Sequence, residues 1–209
     1  MKRWRFEKDL QDRVLLLSCA RLVPKNEFSF FIPALKSLVE QHPTIMWCVI
    51  GDGSERRVLT KLAEAEGLGD NIKWVGALYK EEELAPWFLS SSLFIHPSAI
   101  GLSLFHAFGY GLPVVTHGDL DDQMPEIAAL SSGINGVFYQ RGSVNDLCKQ
   151  VTHLLTNEKK LKDFSEGALD TVRNKYNTSV MASRFLLIIR KCIAKSHSCL
   201  LYTSDAADE

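Results

Sequence analysis

Two short stretches carry residue types that could handle an anion. The first, Ala20-Arg21-Leu22-Val23-Pro24-Lys25-Asn26, places a guanidinium and an ammonium four positions apart. Arginine offers a planar fork of donors and lysine a point charge, and both suit phosphate. A solvated basic loop would contain the same residues. The second, Pro97-Ser98-Ala99-Ile100-Gly101-Leu102-Ser103, is built largely of small residues and runs into a helical pattern. Small residues let a ligand approach the backbone. The first N–H groups of a helix lack partners within it and point outward, so an anion is favoured there. An ordinary short βα turn would read the same way. Together the two stretches describe a diphosphate held between a basic loop and a helix N-terminus. His96, His106 and His117 form a rival site, because three imidazoles can hold a catalytic zinc. No H-x-H or H-E-x-x-H spacing supports a metal, and a hydrogen-bonded residue at a strand end accounts for His96 and His117. Trp74, Trp87 and Phe105 read as core, and Glu81-Glu82-Glu83 as a solvated first helical turn.

The elements that must position these residues alternate regularly. Apolar, β-rich runs recur at Val14–Ala20, Ile45–Gly51, Ile72–Gly76, Leu93–Pro97, Leu112–Thr116 and Gly136–Tyr139. Helical patterns separate them. Phe28–His42 has apolar residues at 28, 31, 32, 35, 38 and 39, a period near 3.6. Ser54–Leu68 opens on a capping serine and closes at Gly67 and Gly69. Glu81–Ser91 begins with three acids, which suit the positive end of a helix dipole. Leu102–Tyr110 stops before Gly111. Ser143–Leu155 begins at a serine with Asp146 three residues on, an acidic variant of the capping box. Glu158–Tyr176 and Ser179–Lys195 complete the set.

Strands too apolar to be half-exposed, alternating with helices, predict a parallel sheet covered on both faces. The fold class expected is α/β, a doubly wound, Rossmann-like six-stranded sheet in the order 3-2-1-4-5-6. That order reverses between strands 1 and 4, and a crevice opens beyond their carboxyl ends. The two loops described first flank it.

Composition bounds the function. The chain has 209 residues, 46% hydrophobic and 23% charged, with a net charge of −1. That excludes a strongly basic nucleic-acid binder and an acidic disordered chain. No run approaches the ~18 apolar residues of a spanning helix. Val14–Leu17 before Ser18-Cys19 is too short for a lipoprotein leader and reads as a buried strand. Cysteines stand at 19, 48, 148, 192 and 199 without a C-x-x-C pair, which predicts reduced thiols and a cytoplasmic setting. Residues 199–209, Cys-Leu-Leu-Tyr-Thr-Ser-Asp-Ala-Ala-Asp-Glu, resemble a translated library adapter. Setting them aside as an artefactual tail removes three acids and leaves +2.

Six short segments in order resemble the C-terminal, donor-binding domain of the retaining GT-B glycosyltransferases of family 4. Ala20-Arg21-Leu22-Val23-Pro24 is similar to the family's G-R-L-x-x-E-K-G. Val49-Ile50-Gly51-Asp52-Gly53-Ser54-Glu55-Arg56 resembles V-G-D-G-P-E-R, and Asn71-Ile72-Lys73-Trp74-Val75-Gly76 resembles D-N-V-x-F-x-G. Gly111-Leu112-Pro113-Val114-Val115 resembles G-x-P-V-V, Met124-Pro125-Glu126-Ile127 the P-E-I motif, and Asn135-Gly136 the N-G before strand 6. The family's E-x7-E signature is absent; its two positions fall on Ser98 and His106. Pro97-Ser98-Ala99-Ile100-Gly101-Leu102-Ser103-Leu104-Phe105-His106 fits the P-G-x-V-G-L-x-x-x-H form of a bacterial subset instead. Asn26 stands in the family's lysine column, with Lys25 one residue earlier.

The resemblance implies one half of a GT-B fold. Residues 1–12 would be a remnant of the interdomain linker, 13–176 the nucleotide-sugar-binding domain, and 177–198 the crossover helix. The donor diphosphate would meet Arg21, Lys25, Ile100, Gly101, Leu102 and Ser103. His106 would take the ribose or a phosphate in place of the missing Glu; Val75, Gly76 and Ala77 would back the nucleobase. Ser98 and Glu126 would lie on the sugar side. No residue is assigned to the chemical step, and neither metal nor cofactor is implied beyond the nucleotide-sugar donor as substrate. The acceptor pocket would belong to a missing N-terminal domain, and any membrane contact would run through that domain. The expected function is retaining glycosyl transfer, of the kind used in polysaccharide biosynthesis, by a fragment inactive alone. The alternatives are a binding module acting with a separately encoded partner, or another nucleotide-dependent Rossmann protein such as an oxidoreductase. The last lacks G-x-G-x-x-G after strand 1.

Overall fold

A computed structural model describes residues 2–204, and side chains for 2–194. The chain falls into two units, Met1–Thr171 and Val172–Glu209.

The first unit opens with α1 (Lys2–Glu7) and then lays down β1 (Val14–Cys19), α2 (Phe28–Gln41), β2 (Ile45–Ile50), α3 (Arg56–Ala65), β3 (Ile72–Gly76) and α4 (Glu81–Ser90). It continues with β4 (Leu93–Ile95), α5 (Ser103–Gly109), β5 (Val114–His117), β6 (Gly136–Tyr139), α6 (Val144–Leu155) and α7 (Glu158–Asp170). The six strands form one sheet in the order β3-β2-β1-β4-β5-β6, every pairing parallel. The expected α/β fold and its reversal between β1 and β4 are therefore present.

The central strands of the sheet are dry on both faces, while the edge strand β3 is only partly covered. All six residues of β2 are buried, and Trp47 packs against Phe28, Phe31 and Trp74. Ser18 is the polar exception. Its buried hydroxyl donates to the Ile95 carbonyl at 2.6 Å and accepts from the Trp47 indole N–H at 2.9 Å, so it joins β1, β2 and β4 without an orphaned group. Burial pushes the Cys48 thiol up to about 12 and that of Cys19 up to about 11.

Several helix ends differ from expectation. Residue Glu55, not Ser54, occupies the cap position of α3, and no side chain caps it; the Gly51–Gly53 turn sets that helix start through backbone bonds. Ser143 does cap α6, accepting from Asp146 N at 3.2 Å, but Asp146 reaches back to Gln140 N and not to the cap residue. The pattern over 158–176 divides: α7 ends at Asp170 and a π-turn covers Thr171–Lys175. There the Thr171 hydroxyl donates to Gly167 O and accepts from the buried Asn135 amide, which draws the turn out of α-helical register. Residues 1–12, expected as linker, include α1, whose Trp4 meets Trp87 of α4 edge to face at 4.8 Å. Arg5 of the same helix donates to the Ser90 carbonyl at 2.7 Å.

The second unit consists of the end of the π-turn and α8 (Thr178–Ser204). Its backbone stays helical for six residues past Ser198, into the segment read as an adapter; 205–209 lie outside the described residues. Phe185, Leu186, Leu187 and Ile188 on α8 are exposed. Among the described residues no helix is long and apolar enough to cross a membrane.

Candidate functional site at the carboxyl edge of the sheet

The loop after β1 is fixed by its neighbours. Ala20 N donates to Ile50 O, Leu22 N to Asp52 O, and Glu55 N to Leu22 O, all within 2.9–3.0 Å. The loop thus lies against the Gly51-Asp52-Gly53 turn, backbone on backbone. A Cβ on Gly51 would come within 1.9 Å of Ala20 O, and one on Gly53 within 2.3 Å of Leu22 O. Both glycines also hold positive φ, +139° and +158°. The glycine spacing of that motif is therefore the spacing of two close approaches.

Asn26 completes the loop. Its buried side-chain amide donates to the Arg21 carbonyl at 2.7 Å, closing the Pro24–Asn26 turn. It acts on the backbone and leaves charge to its neighbours. Arg21 and Lys25 are both exposed, but they line different hollows. Arg21 borders a pocket of about 260 Å³ together with Cys19, Gly51, Ala77 and Tyr79. Lys25 borders one of about 280 Å³ with Ser98, Asp122 and Arg141.

The loop after β4 is held just as closely. The Ser98 hydroxyl donates to the Lys25 carbonyl at 2.6 Å and so ties the two loops together across the switch point. The Ser98 carbonyl accepts from His96 Nδ1 at 3.0 Å and Thr116 Oγ1 at 3.1 Å. Tyr139 donates to the Pro97 carbonyl at 2.6 Å. The Ile100 N–H, expected to face a diphosphate, is donated to Gln123 Oε1 at 2.9 Å. Gln123 is anchored in turn on Thr116 Oγ1 and the His117 carbonyl. Among the described residues the N–H groups of Gly101, Leu102 and Ser103 have no protein acceptor, as the start of a helix requires. The helix itself, α5, begins at Ser103 and runs seven residues.

Each histidine has its own setting. His96 is 3% exposed, and burial lowers its pKa to about 4. Nδ1 of His117 accepts from Asp119 N at 3.3 Å, while its buried Nε2 has no hydrogen-bond partner and lies 3.7 Å from Asp122 Oδ2. Burial and the nearby Arg141 lower the His117 pKa. Asp122 is bound in a bridge with Asp119 and Glu27 around Arg141. Among the described residues no three His, Cys, Asp or Glu side chains converge as a metal cluster.

His106, half-buried on α5, places Nε2 3.1 Å from Glu81 Oε1. Tyr110 donates to the same oxygen. The rings of His106 and Tyr110 both lie on Phe88, centroids 4.4 and 5.2 Å away. Glu81, expected as a solvated turn residue, is thus engaged, and the Tyr110 and His106 bonds hold its carboxyl below the usual range. The Tyr110 phenol is pushed up to about 12 by burial and by Glu81. Trp87 is core as expected; Trp74 is half-buried, with the Arg56 guanidinium 4.3 Å over its ring.

Of the expected nucleobase residues, Ala77 lines the Arg21 pocket. Gly76 gives its carbonyl to Gly51 N, and Val75 is half-buried within β3. Glu126 sits on the turn that packs against α5, with Oε2 buried and without a hydrogen-bond partner. Sequence reasoning passed over Gln123, Asp122, Arg141 and Tyr110, which lie in no motif and come together only through the fold.

The family model for glycosyl transferases group 1 matches residues 1–171. The chain belongs to that family. Among curated relatives, it is 24% identical over 161 residues to alpha-monoglucosyldiacylglycerol synthase of Acholeplasma laidlawii, covering 75% of this chain and 38% of that protein. It is 21% identical over 182 residues to poly(ribitol-phosphate) alpha-N-acetylglucosaminyltransferase of Staphylococcus aureus, covering 86% and 36%. The chain thus spans little more than a third of the length of these two relatives. The fold recurs in the C-terminal domain of the group 1 glycosyl transferase LpcC of Francisella tularensis, with TM-score 0.72, 18% identity, and coverage of 85% of this chain and 93% of that one. S. aureus TarM, solved with UDP among its ligands, superposes with TM-score 0.75 at 20% identity over 84% of this chain and 35% of that chain.

Proposed function

We propose that this chain is the donor-binding half of a retaining glycosyltransferase that takes its sugar from a nucleoside diphosphate. The observation that carries the reading is the pocket beyond the carboxyl ends of β1, β2 and β3, where Arg21 meets the Ala77 loop. Ser98 ties the loop after β1 to the loop after β4, whose Gly101, Leu102 and Ser103 N–H groups are open. An open α/β sheet receives its ligand beyond the carboxyl ends of its strands. In this reading the base rests against the Ala77 loop, and Arg21 with the open N–H groups faces the diphosphate. Lys25, expected at the diphosphate, lines a separate hollow with Ser98, and it is assigned with Ser98 and Glu126 to the sugar side.

Such donors act where charge grows as the nucleoside diphosphate leaves, and in other enzymes one preorganised donor is worth ~3 kcal/mol of barrier. No metal or cofactor has a part in this reading. Family members whose names specify alpha products, such as the S. aureus enzyme, support retention where the donor is itself α-linked. The acceptor pocket lies in a second domain, so the 209-residue chain is inactive alone.

Calorimetric titration of the chain with UDP, GDP and their sugars, with a chelator present, tests this. Binding of at least one nucleotide is expected. Failure of all of them, or binding that needs added metal, would overturn it.

A further inference from the structure

The hollow that Lys25 borders is walled by four loops. The loop after β1 gives it Lys25 and Glu27, the loop after β4 Ser98 and Ala99, the loop after β5 Asp122, and the loop after β6 Arg141. Side chains set these walls against one another. The Ser98 hydroxyl donates to the Lys25 carbonyl at 2.6 Å and holds the β4 loop on the β1 loop. Arg141 lies 3.7 Å from Glu27 and 2.9 Å from Asp122, and so holds the β6 loop on the β1 and β5 loops. Between residues 97–101 and 118–124 no backbone hydrogen bond runs among the described residues. Gln123 makes that connection, with Oε1 accepting from Ile100 N at 2.9 Å.

A primary amide is the group this place requires. Its nitrogen carries two protons, and both are used, on Thr116 Oγ1 at 3.1 Å and on the His117 carbonyl at 3.0 Å. Turned over, the amide would set its NH2 against the Ile100 N–H and its oxygen against the His117 carbonyl, so the network determines its orientation. Ile100 and Thr116 are both buried, and the Thr116 hydroxyl donates in turn to the Ser98 carbonyl at 3.1 Å. The strands themselves do not depend on the glutamine, because Phe94 and Ile95 pair directly with Val114 and Val115. Gln123 acts past the strand ends, where it holds the backbone carrying Ser98 against the loop carrying Asp122.

We infer that Gln123 is a positioning residue for the sugar of the donor, acting through the Ile100 amide to set the Ser98 and Asp122 walls of the hollow at one spacing. This rests on the sugar-side reading of that hollow given above. None of the partners of Gln123 lines the Arg21 pocket, so the residue bears more on the sugar than on the rest of the nucleotide.

Calorimetry on the full chain tests this with UDP and GDP, and with UDP-glucose, UDP-N-acetylglucosamine and GDP-mannose. The quantity read is the affinity for a sugar nucleotide divided by that for its own diphosphate, so that general loosening of the loop or the fold cancels. Gln123→Met keeps the length and removes the bonds to Ile100, Thr116 and His117. It should lower the ratio roughly fivefold, the worth of one ordinary hydrogen bond. Gln123→Glu keeps an acceptor for the Ile100 N–H but sets a carboxylate against the His117 carbonyl, and should lower the ratio too; it carries the test if Gln123→Met does not fold. A merely structural role would lower the melting temperature and both affinities at a constant ratio. An unchanged ratio in either folded variant would overturn the assignment of Gln123 and leave nucleotide binding intact. A parent chain that binds the diphosphates but no sugar nucleotide would also overturn it, and one that binds neither would overturn the donor reading itself.

Discussion

His96 shows how a residue type that invites a metal can serve packing instead. Its ring is buried against Phe28, with Nδ1–H donated to the Ser98 carbonyl, and burial holds its pKa near 4, against an ordinary 6.5. The unfolded chain therefore binds a proton that the folded chain refuses between those two values. Stability from this group is complete above pH 6.5 and falls as pH drops toward 4, by about 3 kcal/mol in all. Urea denaturation across pH 4–7 should show that slope, and His96→Gln should flatten it. At the other loop, Arg21→Ala is expected to weaken nucleotide binding by ~1.5–3 kcal/mol without changing the melting temperature, since the side chain is exposed. Asn26→Ala should do the reverse, lowering stability by about 1–2 kcal/mol through the freed Arg21 carbonyl. Arg21 was legible in the sequence because a guanidinium after a strand has a recognisable chemistry. Glu81 was not, because three acids opening a helix look like dipole compensation, and only the fold brings His106 and Tyr110 onto one of them.

At the scale of elements, the alternation of apolar runs with 3.6-period helices was sufficient to place all six strands and their order, because buried parallel strands and right-handed crossovers leave few solutions. Helix ends were less legible. The start of α3 is set by the Gly51–Gly53 turn docking on the β1 loop, a long-range contact that Ser54 as a local cap signal does not encode. Gly51→Ala should therefore damage this corner severely. With Ala20 O 1.9 Å from the new Cβ, a loss above about 3 kcal/mol is expected from overpacking and backbone strain, measurable by thermal or chemical denaturation. Ser143→Ala, by contrast, removes one cap bond from α6 and should cost ~1 kcal/mol.

For the whole molecule, the sheet and its core lie within residues 1–171, the span that the family model also covers. Deleting 199–209 is accordingly expected to leave the melting midpoint unchanged in calorimetry; a clear drop would make that segment structural. The molecule also offers a larger hollow, of about 590 Å³, between α2 and α6, lined by Ser37, Gln41, Cys148 and His153. It lies on helices flanking the sheet, whereas the proposed site lies beyond the carboxyl ends of the strands. Amide shift mapping by NMR as UDP or GDP is added decides between these places. The expected result is that the largest shifts fall on 20–22, 51–53, 77–79 and 101–103, with the Gly101, Leu102 and Ser103 amides moving as their open N–H groups gain an acceptor. Shifts confined to residues of α2 and α6, with the strand-end loops unmoved, would contradict a donor site at the strand ends.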